Sequence, residues 1–391
     1  MTKYGLPEEV KFCTRCVISN QRPSSTVEYN HRADSKKETI YFDEEGICDA
    51  CHIAERKQTE VNWNERDLEL RDLCDEHRSS KGNFDCIVPG SGGKDSFYAA
   101  HILKRKYLMH PLLVTWSPHL PTDWGWRNLQ RMQDVSDHIL YTPSRTTHRL
   151  LTRLAVENLL HPFQPFIIGQ KALAPELAYQ YKIPLVFYGE SESEYGNAKK
   201  SWSAERSPDY HKTPDQIFLG GIQVGELRRD YGLRANDLAA YIPAPNDYEV
   251  NVQYLGYYLK WKPQECYYYA VENGGFECSP ERTPGTWSKY NSIDDKVDDL
   301  HYFTTFIKFG IGRATYDAAQ EIRSGDITRE EGVALVHKYD GEYPDRFEKE
   351  VFEYLSVPGF PKMTREYFLN LCDQFKSPHL WDSDRLIHEV R

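Results

Sequence analysis

No run of about 18 apolar residues occurs in the 391-residue chain, so nothing in it reads as a membrane-spanning helix. The opening, Met1-Thr2-Lys3-Tyr4-Gly5-Leu6-Pro7, lacks the apolar stretch of a secretory signal, and a cytoplasmic protein with no membrane partner is expected. Positive charge is in deficit. The formal net charge of −11 argues against a broad surface for nucleic-acid phosphates, while leaving room for a local basic groove. Internal repeats, low-complexity tracts and heptads are missing too. What remains, at 40% hydrophobic and 27% charged residues, is the composition of an ordinary globular chain long enough for two or three folding units.

Cysteine is present in an informative pattern. Nine cysteines in a reducing compartment do not make a disulfide framework, so their spacing is read for metal or redox chemistry. Cys13-Thr14-Arg15-Cys16 and Cys48-Asp49-Ala50-Cys51 form two Cys-x-x-Cys knuckles. Four thiolates in two such pairs suit tetrahedral zinc at about 2.3 Å, and a small, weakly apolar module needs that cross-link to fold. Structural zinc on Cys13, Cys16, Cys48 and Cys51 is expected, with an iron–sulfur or redox centre as the alternative. Cys74, Cys86, Cys266, Cys278 and Cys372 show no ligand spacing and read as buried thiols.

Three regions are expected: the zinc module over 1–58, an α/β domain over 59–250, and a mainly helical region over 251–391. Between 84 and 190, short apolar runs at 86–88, 112–116, 138–141, 166–168 and 185–188 alternate with helical patterns. That alternation predicts a parallel sheet covered on both faces, with ligands beyond the carboxyl ends of its strands.

Ser91-Gly92-Gly93-Lys94-Asp95-Ser96 lies where the first such strand hands over to a helix. Adjacent glycines let backbone N–H groups approach an anion, and the helix N-terminus adds partial positive charge, so the run reads as a phosphate cradle. It is not a Walker loop, because Val88 stands where the first glycine belongs and Asp95 follows the lysine. Nor is it a dinucleotide fingerprint, since Asp95 takes the third glycine position.

Around the cradle, Trp116 and Ser117 end the second strand, where the indole either stacks on a base or fills the core. Gly169 and Lys171 follow the fourth expected strand, with Lys171 either reaching phosphate or solvated. Glu190, Glu192 and Glu194 follow the fifth; such carboxylates hold magnesium or orient an amine nucleophile, unless they form a solvated acidic loop. Lys289, Tyr290, Lys308 and Arg313 are the candidate contacts for an anionic sugar or diphosphate.

The hexapeptide resembles the Ser-Gly-Gly-x-Asp-Ser signature of the pyrophosphate-loop (PP-loop) ATP pyrophosphatases. Together with Phe12-Cys13-Thr14-Arg15-Cys16-Val17, Asp43 to Cys48, Phe163 to Gln170 and Lys308 to Asp317, the chain resembles the N-acetyl sugar amidotransferase family of that superfamily. The resemblance implies an ATP-dependent enzyme of bacterial surface glycan synthesis (O-antigen or flagellin sugars). In it, the carbonyl oxygen of an N-acetyl group on a nucleotide-linked sugar attacks the α-phosphorus of ATP, pyrophosphate leaves, and ammonia then displaces AMP to leave an acetamidine. It implies phosphate binding by Ser91, Gly92, Gly93 and Ser96, a charge contact from Lys94, and loop shaping or Mg2+ binding by Asp95. PP-loop tRNA-thiolating enzymes with zinc knuckles are the alternative. Thr2 stands where one class of glutaminase has its N-terminal cysteine, and no cysteine sits in a Gly-x-Cys-x-Gly elbow. Ammonia is therefore expected from solution or from a separate glutaminase subunit.

Overall fold

Short apolar runs form the centre of the molecule as β1 (Cys86–Pro89), β2 (Pro111–Trp116), β3 (His138–Tyr141), β4 (Leu185–Tyr188) and β5 (Asn251–Tyr254). The structure, a computed structural model, describes residues 2–24, 28–189, 191–195, 202–205, 216–242 and 249–391, with the backbone alone at Glu28 and Glu192. The five strands are parallel and lie in the order β3-β2-β1-β4-β5, with Cys86 opposite Pro111 on one side and Leu185 on the other. Successive side chains point to opposite faces. Ile87, Leu112, Val114 and Val186 join one core, whereas Cys86, Val88, Leu113 and Phe187 join the other.

Helices cover both faces. The N-terminal half contributes α1 (Asp49–Thr59), α2 (Trp63–His77), α3 (Lys94–Arg105), α4 (Asp123–Met132), α5 (Arg145–Leu159) and α6 (Gln164–Tyr181). After β5 come α7 (Pro263–Gly274), α8 (Asp298–Phe309), α9 (Arg313–Ser324), α10 (Arg329–Tyr339), α11 (Glu348–Leu355) and α12 (Arg365–Phe375), the mainly helical C-terminal region. None of the described helices is long and apolar enough to cross a membrane.

One expected strand is corrected. Residues 166–168 belong to α6, whose first turn carries Pro165 and buries Phe166 and Ile168. A continuous apolar run suits a buried helix as well as a buried strand, and proline in the first helical turn favours the helix. The fifth strand is instead Asn251–Tyr254, which falls beyond the boundary placed at 250. Its alternation is masked by Gln253, buried at 2% exposure because it donates to Asn251 Oδ1 at 2.5 Å and accepts from the Tyr258 hydroxyl at 2.8 Å.

The cysteine module has little regular structure before α1 and does not stand alone. Leu6, Val17, Ile18 and Ile47 share a core with Ile311 and Ala318 of the α8–α9 region, Val336 of α10, and Leu380 and Val390.

Candidate active site

The direction of the strand order reverses between β1 and β4, and a crevice opens past their carboxyl ends. The loop after β1 fills one side of it. Gly92 sits at φ +90, and a Cβ there would come within 2.6 Å of the Leu129 backbone nitrogen in α4. Gly93 is the N-cap of α3 with no side-chain cap bond, and a Cβ there would find nothing closer than Ser91 Oγ at 3.9 Å. The uncapped N–H groups of the first turn of α3 thus face open space, the arrangement that binds phosphate. The Ser96 hydroxyl donates to Gly93 O at 3.0 Å and tightens the turn.

A cavity of about 530 Å3 runs from Ser91, Gly93, Lys94 and Asp95 to a facing wall built from residues 290–298, α8 and α9. That wall is clasped to the end of β2. Thr122 N donates to Asp294 O at 3.1 Å, Thr122 Oγ1 to Ile293 O at 2.5 Å, and His119 N to Asp295 Oδ2 at 2.6 Å. The Ser91 hydroxyl reaches across to the Asp294 carboxylate, which joins the phosphate loop to the wall.

Charge in the cavity is mixed and largely desolvated. Lys94, 5% exposed, pairs with Asp95 Oδ2 at 2.5 Å, while Asp95 Oδ1 is buried with no hydrogen-bond partner among the described residues. Arg313 lies 3.0 Å from Asp317 Oδ1 and stacks over the Tyr302 ring at 4.2 Å. Burial pushes the Asp298 carboxyl up to about 8, with Arg313 opposing the shift and Asp294 and Asp295 adding to it. Burial likewise raises Asp294. Arg22, Ser24 and Lys37 of the cysteine module line the far end.

The four knuckle cysteines converge. Their sulfurs lie within 4.8 Å of one another, with Cys13–Cys51 and Cys16–Cys48 both at 3.8 Å. A tetrahedron of sulfurs about 2.3 Å from a central zinc has edges of about 3.8 Å, so the donor set and its spacing fit that ion. Arg15, Cys16 and Cys48 aim backbone N–H groups at Cys13 Sγ, which stabilises thiolate charge. Among the described residues this is the one cluster with metal-ligand spacing.

Of the expected site residues, the structure brings Ser91, Gly93, Lys94, Asp95, Tyr290, Lys308 and Arg313 to one cavity. Gly92 packs on α4 instead, and Ser96 braces the turn. Lys308 Nζ also donates to Leu159 O at 2.7 Å. Trp116, 2% exposed, packs among Tyr141, His148 and Tyr241, and a Cβ at Gly169 would come within 2.4 Å of its indole. Trp116 and Gly169 are therefore one core contact between β2 and α6. Ser117 and Lys171 do not line the cavity, and Lys171 lies inside α6 rather than after a strand. Exposed Lys289 turns away, its ammonium donating to Pro280 O at 3.0 Å. Glu190 lies outside the described residues, and Glu194 pairs with Lys57 at 2.6 Å.

Sequence reasoning missed Asp298, Tyr302, Asp317 and the module's Arg22 and Lys37. Asp294 and Asp295 lie just before α8. Only the clasp to β2, which spans more than 170 positions, turns that stretch toward the phosphate loop.

Residues 284–391 match the family described as LPS biosynthesis protein WbpG-like, C-terminal domain. No curated protein matches the chain. Among solved structures, NMN synthetase from Francisella tularensis aligns over 78% of this chain and 100% of its own, at 11% identity and a TM-score of 0.33, too low to read fold or function from.

Proposed function

We propose that the chain is an ATP-using enzyme of bacterial surface glycan synthesis, and specifically an amidotransferase that converts an N-acetyl group of a nucleotide-linked sugar to an acetamidino group. One observation carries the reading. A phosphate loop at the sheet's switch point faces, across a single cavity of about 530 Å3, a wall from the region that matches a lipopolysaccharide-biosynthesis family. That volume lies within the range of small-molecule sites, about 300–1,000 Å3, and exceeds what a pyrophosphate group needs. The space remaining beside Tyr290, Tyr302 and Arg313 suits an acceptor with an anionic group.

An amide oxygen is a poor leaving group. Its attack on the α-phosphorus of ATP expels pyrophosphate and leaves an adenylyl-imidate; ammonia then adds to the imidate carbon, AMP departs with the C–O bond, and the nitrogen loses a proton. The N-terminus of α3, Gly93 and Ser91 supply preorganised donors to the departing pyrophosphate, and Lys94 adds charge. Asp95, whose Oδ1 has no hydrogen-bond partner among the described residues, would be the loop's carboxylate for a magnesium ion, which would supply positive charge against the phosphates. The cysteine module supports this reading over a tRNA-modifying one, because it is packed into the C-terminal helices and contributes to the cavity wall.

The test is to incubate the chain with magnesium-ATP, ammonium and candidate nucleotide-linked diacetamido sugars. Expected are AMP, pyrophosphate and a sugar whose mass has changed by the exchange of oxygen for NH. ADP and inorganic phosphate as the coupled products would falsify the assignment.

A further inference from the structure

Cations line the main cavity along its whole length, whereas its acids are gathered at one end. Among the described residues four carboxyl groups border it: Asp95, Asp294, Asp298 and Asp317. Asp95 pairs with Lys94 at 2.5 Å, and Asp294 accepts from Ser91. Asp317 lies 3.0 Å from Arg313 and takes the Thr286 hydroxyl at 2.7 Å. Asp298, pushed up to about 8 by burial, is largely protonated at neutral pH. All four belong to the phosphate loop or to the wall that faces it. The other cations of the lining, Arg22, Lys37 and Lys308, make the far end positive.

Their positions are built rather than incidental. Ile40 N donates to Arg22 O at 2.9 Å and Ser24 N to Glu38 O at 2.7 Å, so residues 22–24 and 38–40 of the cysteine module run side by side. Arg22, 5% exposed, sits 5.7 Å from the centre of the Tyr316 ring on α9. Lys37 N donates to Tyr4 O at 2.8 Å, and the Lys308 ammonium, buried at the end of α8, lies 5.6 Å from the centre of the Tyr4 ring. Nearby acids face elsewhere. Glu38 is exposed and does not line the cavity, and Asp340, close to Tyr316, accepts from Gly312 N, Thr315 N and the Thr315 hydroxyl. Three cations at one end suit a group with more than one negative charge, and the planar guanidinium fork of Arg22 matches phosphate oxygens. Such a group lies opposite the phosphate cradle, so it belongs to a second ligand.

We propose that the far end of the main cavity is a second anion subsite, in which Arg22, Lys37 and Lys308 hold the diphosphate of a nucleotide-linked acceptor while the loop at 91–96 holds ATP. The inference rests on the reading of this cavity as a site for two ligands and is independent of the reaction between them. It makes the cysteine module the element that recognises the acceptor. Arg313, its charge offset by Asp317, is left to the space between the two anions.

The test is calorimetric titration of the full-length, metal-loaded chain. Magnesium α,β-methylene-ATP probes the cradle; with that analogue saturating, UDP, dTDP, GDP and CDP probe the far end. At least one diphosphate should bind alongside the analogue, and the matching monophosphate should bind about tenfold more weakly. Arg22→Gln and Lys37→Gln should each raise the Kd of that diphosphate about tenfold and the Kd of the analogue by less than about threefold, with zinc content unchanged. Lys289→Gln, at a lysine turned away from the cavity, should change neither. Failure of all four diphosphates to bind, their displacement by the analogue, a monophosphate bound as tightly, parent-like affinity in both variants, or an equal loss in Lys289→Gln would each overturn the second subsite. A chain that does not bind the ATP analogue at all would instead overturn the reading of the main cavity, and this inference with it.

Discussion

Gly92 and Gly93 are neighbours of identical composition that the fold uses differently. Gly92 holds a left-handed φ against the backbone of α4, so Gly92→Ala should cost about 2 to 4 kcal/mol of stability in urea unfolding. Gly93 has φ −66 and open space before it, so Gly93→Ala should change stability by less than about 0.5 kcal/mol while weakening nucleotide binding, because a methyl enters the cradle. Unfolding curves together with ATP-induced thermal shifts check both; equal destabilisation by the two changes would contradict the geometry. Asp298 gives a pH signature. Its carboxyl rises from 3.8 to about 8 on folding, so the unfolded chain ionises first and stability is lost as pH climbs through that window. Asp298→Asn, a mimic of the neutral acid, should gain in Tm relative to the parent as pH goes from 5 to 8, and parallel Tm profiles would count against it. The hexapeptide was legible because its chemistry is local. Asp298 was not, because its shift comes from burial and from Asp294 and Asp295, against the opposing charge of Arg313, all brought together only by folding.

At the scale of elements, α9 spans two sites. Its first turns present Arg313 and Asp317 to the cavity, while Arg323 near its end lies 3.9 Å from Cys16 Sγ. Arg329, at the start of α10, donates to Cys16 O at 3.2 Å and to Cys13 O at 3.4 Å. Arg329→Ala should therefore cost about 1 to 3 kcal/mol and speed loss of metal to a chelator, measured by chemical unfolding and metal-release kinetics. A release rate equal to the parent's would show that α10 does not hold the knuckles. The start of α10 was readable from Thr328 and Glu331, whose reciprocal cap is present. The identity of α6 was not. Its apolar run carried no helical stripe, since it is buried on several sides, and Asn251–Tyr254 carried too few apolar residues to stand out as the strand that replaces it.

For the whole molecule, the parallel sheet, the paired knuckles and the helical C-terminal region were legible, whereas the way they close on one another was not. Composition marks the cysteine module as separate, yet its apolar residues find partners more than 250 positions away. Metal removal should therefore be felt at the cavity. Cys48→Ser, or chelation of the parent, should abolish stoichiometric zinc and shrink the rise in Tm that ATP produces, because Arg22, Ser24 and Lys37 are carried by the same module. Elemental analysis and thermal shifts test this, and an undiminished ATP effect in metal-free chain would disconnect the two sites.

The late arrival of β5 sets a timetable for biogenesis. During synthesis β1 to β4 can pair while β4 still presents a bare, apolar edge, since its neighbour at 251–254 has yet to leave the ribosome. The cysteine module waits longer still, for Ile311, Val336 and Leu380 to cover its inner face. Both surfaces are of the kind that recruits other chains, so nascent protein interrupted before about residue 250 should depend on chaperones and aggregate without them, whereas the released chain buries both hazards with its own residues from 251 onward.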